Sequence, residues 1–224
     1  MALMAAVARI SAGLQSQSSH SSSKLAGNVL YALGRLGVPL GPTGLSPEVQ
    51  DSLVTHLTGR SSTPSLERSR AVSFGLNGLA YMCKWPLLNA KQREGLLSAL
   101  RLGVPSFLPV DLANAMWSLG RMGVPFADIP AEVQDSLLTA VKRTVGGMSC
   151  FELVWTLWAL DRMEVRLNEN NYTGLDEALL PVLAAAIPLM SMQELGLMMF
   201  AVTNMQLSLS EPALVNEIFK KLNQ

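Results

Sequence analysis

Apolar residues recur along this chain at helical spacing, in blocks that themselves repeat. In the block Asp111–Pro125, Leu112, Met116 and Leu119 fall on one helical face, and Val124 follows just past a glycine. The string NAMWSLGRMGVP at Asn114–Pro125 has a near copy, NVLYALGRLGVP, at Asn28–Pro39, and EVQDSL occurs at both Glu48–Leu53 and Glu132–Leu137. Weaker copies are LVWTLWALDRMEV from Leu153 and LGLMMFAVTNMQL from Leu195, and a degenerate one, FGLNGLAYMCKW, starts at Phe74. Anchored on Tyr31, Asn77, Trp117, Trp158 and Phe200, the period is roughly 40–46 residues, the range of two-helix repeats. The expectation is an all-α chain, an α-solenoid of about five two-helix repeats.

Stop and start signals divide each repeat into a helix A, a loop and a helix B. Ser149–Glu152 and Ser191–Glu194 read as capping boxes opening helix A, with Ser22 in the equivalent place of the first unit. Helix A is predicted to stop at Gly37-Val38-Pro39 and Gly123-Val124-Pro125, since glycine accepts the left-handed end position and proline cannot continue the helix. Ser46-Pro47-Glu48 reads as the start of a helix B, and Pro181 should kink the helix B around Glu177–Leu189. The final helix B runs from Ser210 to the polar FKKLNQ end.

Opposite the apolar face lies a second stripe, at offsets −3, 0 and +4 from the anchor. It reads Asn28/Tyr31/Arg35, Phe74/Asn77/Tyr81, Asn114/Trp117/Arg121, Trp155/Trp158/Arg162 and Leu197/Phe200/Asn204. Arginines and amides could contact phosphates and base edges while rings offer stacking platforms for single-stranded RNA. Alternatively the rings pack on helix A of the next unit and the arginines cap helix-end carbonyls. Both readings stay open on the sequence, and the RNA-contact candidates are Asn28, Arg35, Asn114, Arg121, Arg162 and Asn204.

Composition tempers the RNA reading. Seventeen basic and seventeen acidic residues cancel, so no global basic field draws nucleic acid. Charged residues make up only 15% of the 224, which suggests a surface partly covered by partners. Cys83 and Cys150 are far apart in sequence, with no CxxC or Cys/His cluster, and read as buried free thiols ahead of a metal or disulfide role. His20 and His56 are the sole histidines, which removes most histidine-based metal sites and triads. The longest apolar run, Ala178–Met190, falls short of the ~18 residues a membrane span needs and carries Pro181 and Pro188. Residues 1–21 are acid-poor and serine-rich, and read either as a targeting segment or as a helix of a preceding repeat plus its loop, ahead of a repeat domain over 22–224. In the second case the apolar segment Ala2–Leu14 should dock on a partner or a preceding repeat.

The strings KLAGNVLYALGRLGVP (Lys24–Pro39), DLANAMWSLGRMGVP (Asp111–Pro125) and MSCFELVWTLWALDRMEV (Met148–Val165) resemble the octotricopeptide and FAST-kinase/RAP-type helical repeats of organellar proteins. The likeness covers most of the chain, with Thr63–Gly103 fitting poorly. It implies a non-enzymatic, ribosome-associated or RNA-processing factor of an organelle, the mitochondrion ahead of the plastid, with RNA and protein subunits of a large complex as partners. The alternative is a protein-binding scaffold, a structural subunit of a respiratory or photosynthetic complex. Neither a catalytic constellation nor a cofactor motif is readable, because Gly34-x-x-Gly37 and Gly120-x-x-Gly123 end helices and lack the strand and lysine of a phosphate loop.

Overall fold

A computed structural model describes residues 2–14, 19–41, 44–59, 65–167, 174–207 and 212–223. Among them are eleven α-helices: α1 (Ala2–Gly13), α2 (Ser19–Arg35), α3 (Pro47–Thr58), α4 (Leu66–Met82), α5 (Ala90–Gly103), α6 (Pro109–Met122), α7 (Ala131–Thr144), α8 (Cys150–Arg162), α9 (Leu175–Ala186), α10 (Met192–Asn204) and α11 (Pro212–Leu222). The chain is all-helical, and its helices pack against one another. Each packs on the helix two places further along, so α2, α4, α6, α8 and α10 form one row and the odd-numbered helices the other. One continuous apolar core lies between the rows, from Val7 to Ile218. Leu112, Met116, Leu119 and Val124 are all buried in it, as the spacing of the apolar face requires.

The punctuation signals act largely as read. Ser149 and Ser191 close capping boxes with Glu152 and Glu194, each serine hydroxyl accepting from the glutamate's backbone amide at 3.3 Å. Gly123 ends α6 in the left-handed region at φ 75°. Two details depart from expectation. Ser22 lies inside α2, which begins at Ser19, and it is buried rather than at a cap. Its neighbour Ser23 turns inward too, donating to the His56 carbonyl at 2.8 Å and so tying α2 to α3. Ser46 precedes α3 without a side-chain bond to a backbone amide. As read, Pro181 lies inside a helix, α9, which closes in a 3₁₀ turn, Ile187–Leu189, that contains Pro188. The start of the last helix falls partly on residues 208–211, outside the described ones.

Small residues let the even-numbered row close up. Gly34 of α2 lies against Gly78 of α4, and Gly27 faces Ala71 so tightly that a Cβ there would sit 2.5 Å from the Ala71 oxygen. Further along, Gly120 backs on Ala159 in the same way, while Ser73 spans the α4–α6 interval by donating to the Asp111 carbonyl at 2.9 Å. The poorly fitting segment Thr63–Gly103 therefore supplies an ordinary helix pair, with α4 packed between α2 and α6. At the N-terminal end, α1 packs on α3 and buries Val7 and Leu14. The division at residue 21 falls in the first turns of α2.

Candidate nucleic-acid interface

The −3/0/+4 stripe places its side chains side by side across α2, α4, α6 and α8, because consecutive helices of the row present the same offsets to the same side. Rings from successive helices touch. Tyr31 and Phe74 meet at 5.4 Å between centroids, Tyr81 and Trp117 at 5.2 Å, and Trp117 stands edge-on to Trp155 at 6.0 Å. Trp155 in turn contacts Trp158 and Phe151 of its own helix. These tilted and edge-to-face contacts are the favoured geometry of aromatic pairs. The rings therefore do pack on helix A of the neighbouring unit. They also stay open to solvent: Tyr31 is 38% exposed, Tyr81 36% and Phe151 62%.

A groove of about 510 Å³ runs over this ladder, walled by Tyr31, Phe74, Tyr81, Trp117, Trp155 and Phe151. Its polar contributors are Arg35, Asn77, Asn114, Arg121, Ser149 and Glu152. The last two are committed to their capping box, with the Ser149 amide and hydroxyl both donating to Glu152 Oε2 at 2.7 and 2.9 Å. A larger depression of about 690 Å³ between α5 and α7 mixes Arg93 and Arg101 with Glu94, Asp128 and Glu132, so its charges offset one another and no ring is exposed there.

The arginines are held by the rings. Arg121 places its guanidinium carbon 4.8 Å from the Tyr81 centroid and 5.2 Å from that of Trp117, while its Nε donates to the Ala80 carbonyl at 3.0 Å. Arg35 of α2 reaches the same tyrosine, with Nη1 donating to the Tyr81 hydroxyl at 3.1 Å. Arg121 thus caps a carbonyl near the end of the neighbouring helix rather than of its own, while it lines the groove beside Tyr81 and Trp117.

Of the six residues singled out from the sequence, Arg35, Asn114 and Arg121 line this groove. Asn28 and Arg162 are exposed on the same row outside it, and Asn204 is half-buried on α10. Arg162 meets no hydrogen-bonding or ionic partner among the described residues. Sequence reasoning left Asn77, Tyr81, Val110 and Phe151 out of the candidates. Asn77 and Tyr81 belong to the degenerate copy, where ring and amide exchange places within the stripe. Val110 and Phe151 are one turn earlier, at offset −7, and extending the stripe by that turn would have found them.

No metal-binding cluster of His, Cys, Asp and Glu occurs among the described residues, and no described helix is long and apolar enough to cross a membrane. Compared with known proteins, the chain matches no family model and no curated protein.

Proposed function

We propose that the chain is an α-solenoid of about five two-helix repeats that binds single-stranded RNA in the groove of its even-numbered row, without catalysing a reaction on it. The observation that carries this reading is the pair of ring-mounted guanidiniums, Arg35 and Arg121, set beside partly exposed rings. Stacked arginines offer both a phosphate fork and a flat face, and exposed rings take bases of any sequence. Asn77 and Asn114 add amides able to meet base edges. Recognition would rest on stacking and backbone charge, so a chain without net charge can bind through a local patch. The likeness of the repeats to octotricopeptide and RAP-type proteins supports an organellar, and first a mitochondrial, setting.

The test is a titration of a short labelled single-stranded RNA, followed by fluorescence anisotropy at about 50 and 200 mM salt. Affinity should fall with salt, and Arg35→Ala and Arg121→Ala, the two cations of the groove, should each lower the slope of log K against log salt by about one. Affinity that is absent, or indifferent to salt, ends the RNA reading. Its rival is the protein-binding scaffold, favoured by apolar side chains standing in solvent at Leu189 (77% exposed), Phe151 (62%) and Phe200 (60%). In that case the same groove would hold a protein segment and RNA would not compete for it.

A further inference from the structure

The cations of the even-numbered row are treated differently at its two edges. At the edge where α2 and α4 begin, Lys24 lies 3.9 Å from Glu67 and Arg70 lies 3.9 Å from Asp111. At the edge where these helices end, Arg35, Lys84 and Arg121 have no carboxylate partner among the described residues. Yet they are gathered together: both guanidiniums sit on Tyr81, and Lys84 Nζ donates to the Arg121 carbonyl at 2.6 Å. Like charges gathered on one ring repel unless an anion joins them.

We infer that the Arg35–Tyr81–Arg121 end of the groove is a seat for a terminal phosphomonoester of the bound strand. This rests on the RNA reading and goes beyond it. An internal phosphodiester carries one negative charge, whereas a terminal phosphate carries nearly two at neutral pH and three strong acceptor oxygens. Two guanidiniums set on one ring, with Lys84 held on the backbone of α6 at the same edge, suit a dianionic group better than a singly charged one. The rest of the groove suits a strand end as well. From Tyr81 towards Trp155 the walls offer rings and amides but no further cation, and Glu152 stands at the far side, so a long backbone would find its positive partners at one end only. The hydroxyl of Tyr81, already accepting from Arg35, adds a donor of its own for a phosphate oxygen.

The probes are one short single-stranded RNA in four forms: 5′-phosphate, 5′-hydroxyl, 3′-phosphate and 3′-hydroxyl, each labelled at the opposite end. Anisotropy titrations with the whole chain should show one phosphorylated form binding about tenfold tighter than its hydroxyl partner. Which form gains tells whether the strand enters 5′ or 3′ end first. Arg35→Gln, an exposed position on α2, should shrink that ratio to about two, with a melting curve confirming that the variant is folded. Equal affinities for phosphorylated and hydroxyl ends would overturn the terminal seat while leaving RNA binding intact. Failure of all four forms to bind would instead remove the RNA reading beneath it. A phosphate preference that survives Arg35→Gln and Arg121→Gln unchanged would also refute the assignment.

Discussion

Replacing Gly78 by alanine tests how the ring ladder is held in register. A Cβ built at Gly78 falls 2.6 Å from the Tyr31 nitrogen and closer still to the Leu30 carbonyl. Ordinary van der Waals contact begins at 3.4 Å, so at the nitrogen alone α2 and α4 must part by about 0.8 Å. The obstructing atoms are backbone and cannot rotate aside. Overpacking costs about 1–3 kcal/mol, and this overlap belongs at the upper end. Alanine returns about 1 kcal/mol of helix propensity, leaving a net loss of about 2 kcal/mol. In a chain of this size the midpoint of thermal unfolding should fall by about 4–8 °C, read on the first transition by far-UV circular dichroism. Gly196 on α10 supplies the opposite control, because a Cβ there meets nothing within 4 Å. Gly196→Ala should raise stability by up to ~1 kcal/mol. If Gly78→Ala melts at or above the wild-type temperature, the close approach of α2 and α4 is not a packing constraint and the reasoning fails.

Burial pushes the Asp111 carboxyl above its ordinary value of 3.8, against the opposing pull of the Leu108 amide and Arg70. The folded state therefore holds this proton more tightly than the unfolded one. Its contribution is complete below pH 3.8 and declines as pH rises through the raised value. Melting Asp111→Asn beside the wild type from acid to neutral pH should show the variant gaining ground as pH rises, and a difference constant with pH would contradict the assignment. Cys83, buried on the end of α4 with its thiol pushed up to about 11, should react with a maleimide at pH 8 far more slowly than the half-buried Cys150. Mass spectrometry of the labelled chain gives the order, and Cys83 labelling first would show that this end of α4 opens.

Helix ends and the core face were legible because each depends on residues close in sequence. Ser191 and Glu194 close their own box, Gly123 needs no neighbour to adopt its positive φ, and Leu112, Met116 and Leu119 mark one face by spacing alone. The groove was only half legible, since its chemistry is divided between repeats. Arg35 finds its ring in Tyr81, one repeat onward, and Arg121 finds the same ring one repeat back. Aligning copies compares Arg35 with Arg121 and both with Tyr81, which makes them look like alternatives at one place when they are in contact. The start of α2 was misread for a related reason. Ser22 looks like a cap by local pattern, but it is buried, and the hydroxyl of Ser23 is satisfied between the two rows by the His56 carbonyl of α3, with the helix extending back past both.

The arginine that faces the groove is fastened by its Nε to the carbonyl of Ala80 on another helix. The proposed seat is therefore divided among α2, α4 and α6, and none of these helices holds it alone. A fragment cut between α4 and α6 would keep every residue of its own repeats and still lose the seat at Tyr81. Binding at that seat should therefore require α2, α4 and α6 together, while fraying of α10 and α11 at the far end should leave it in place.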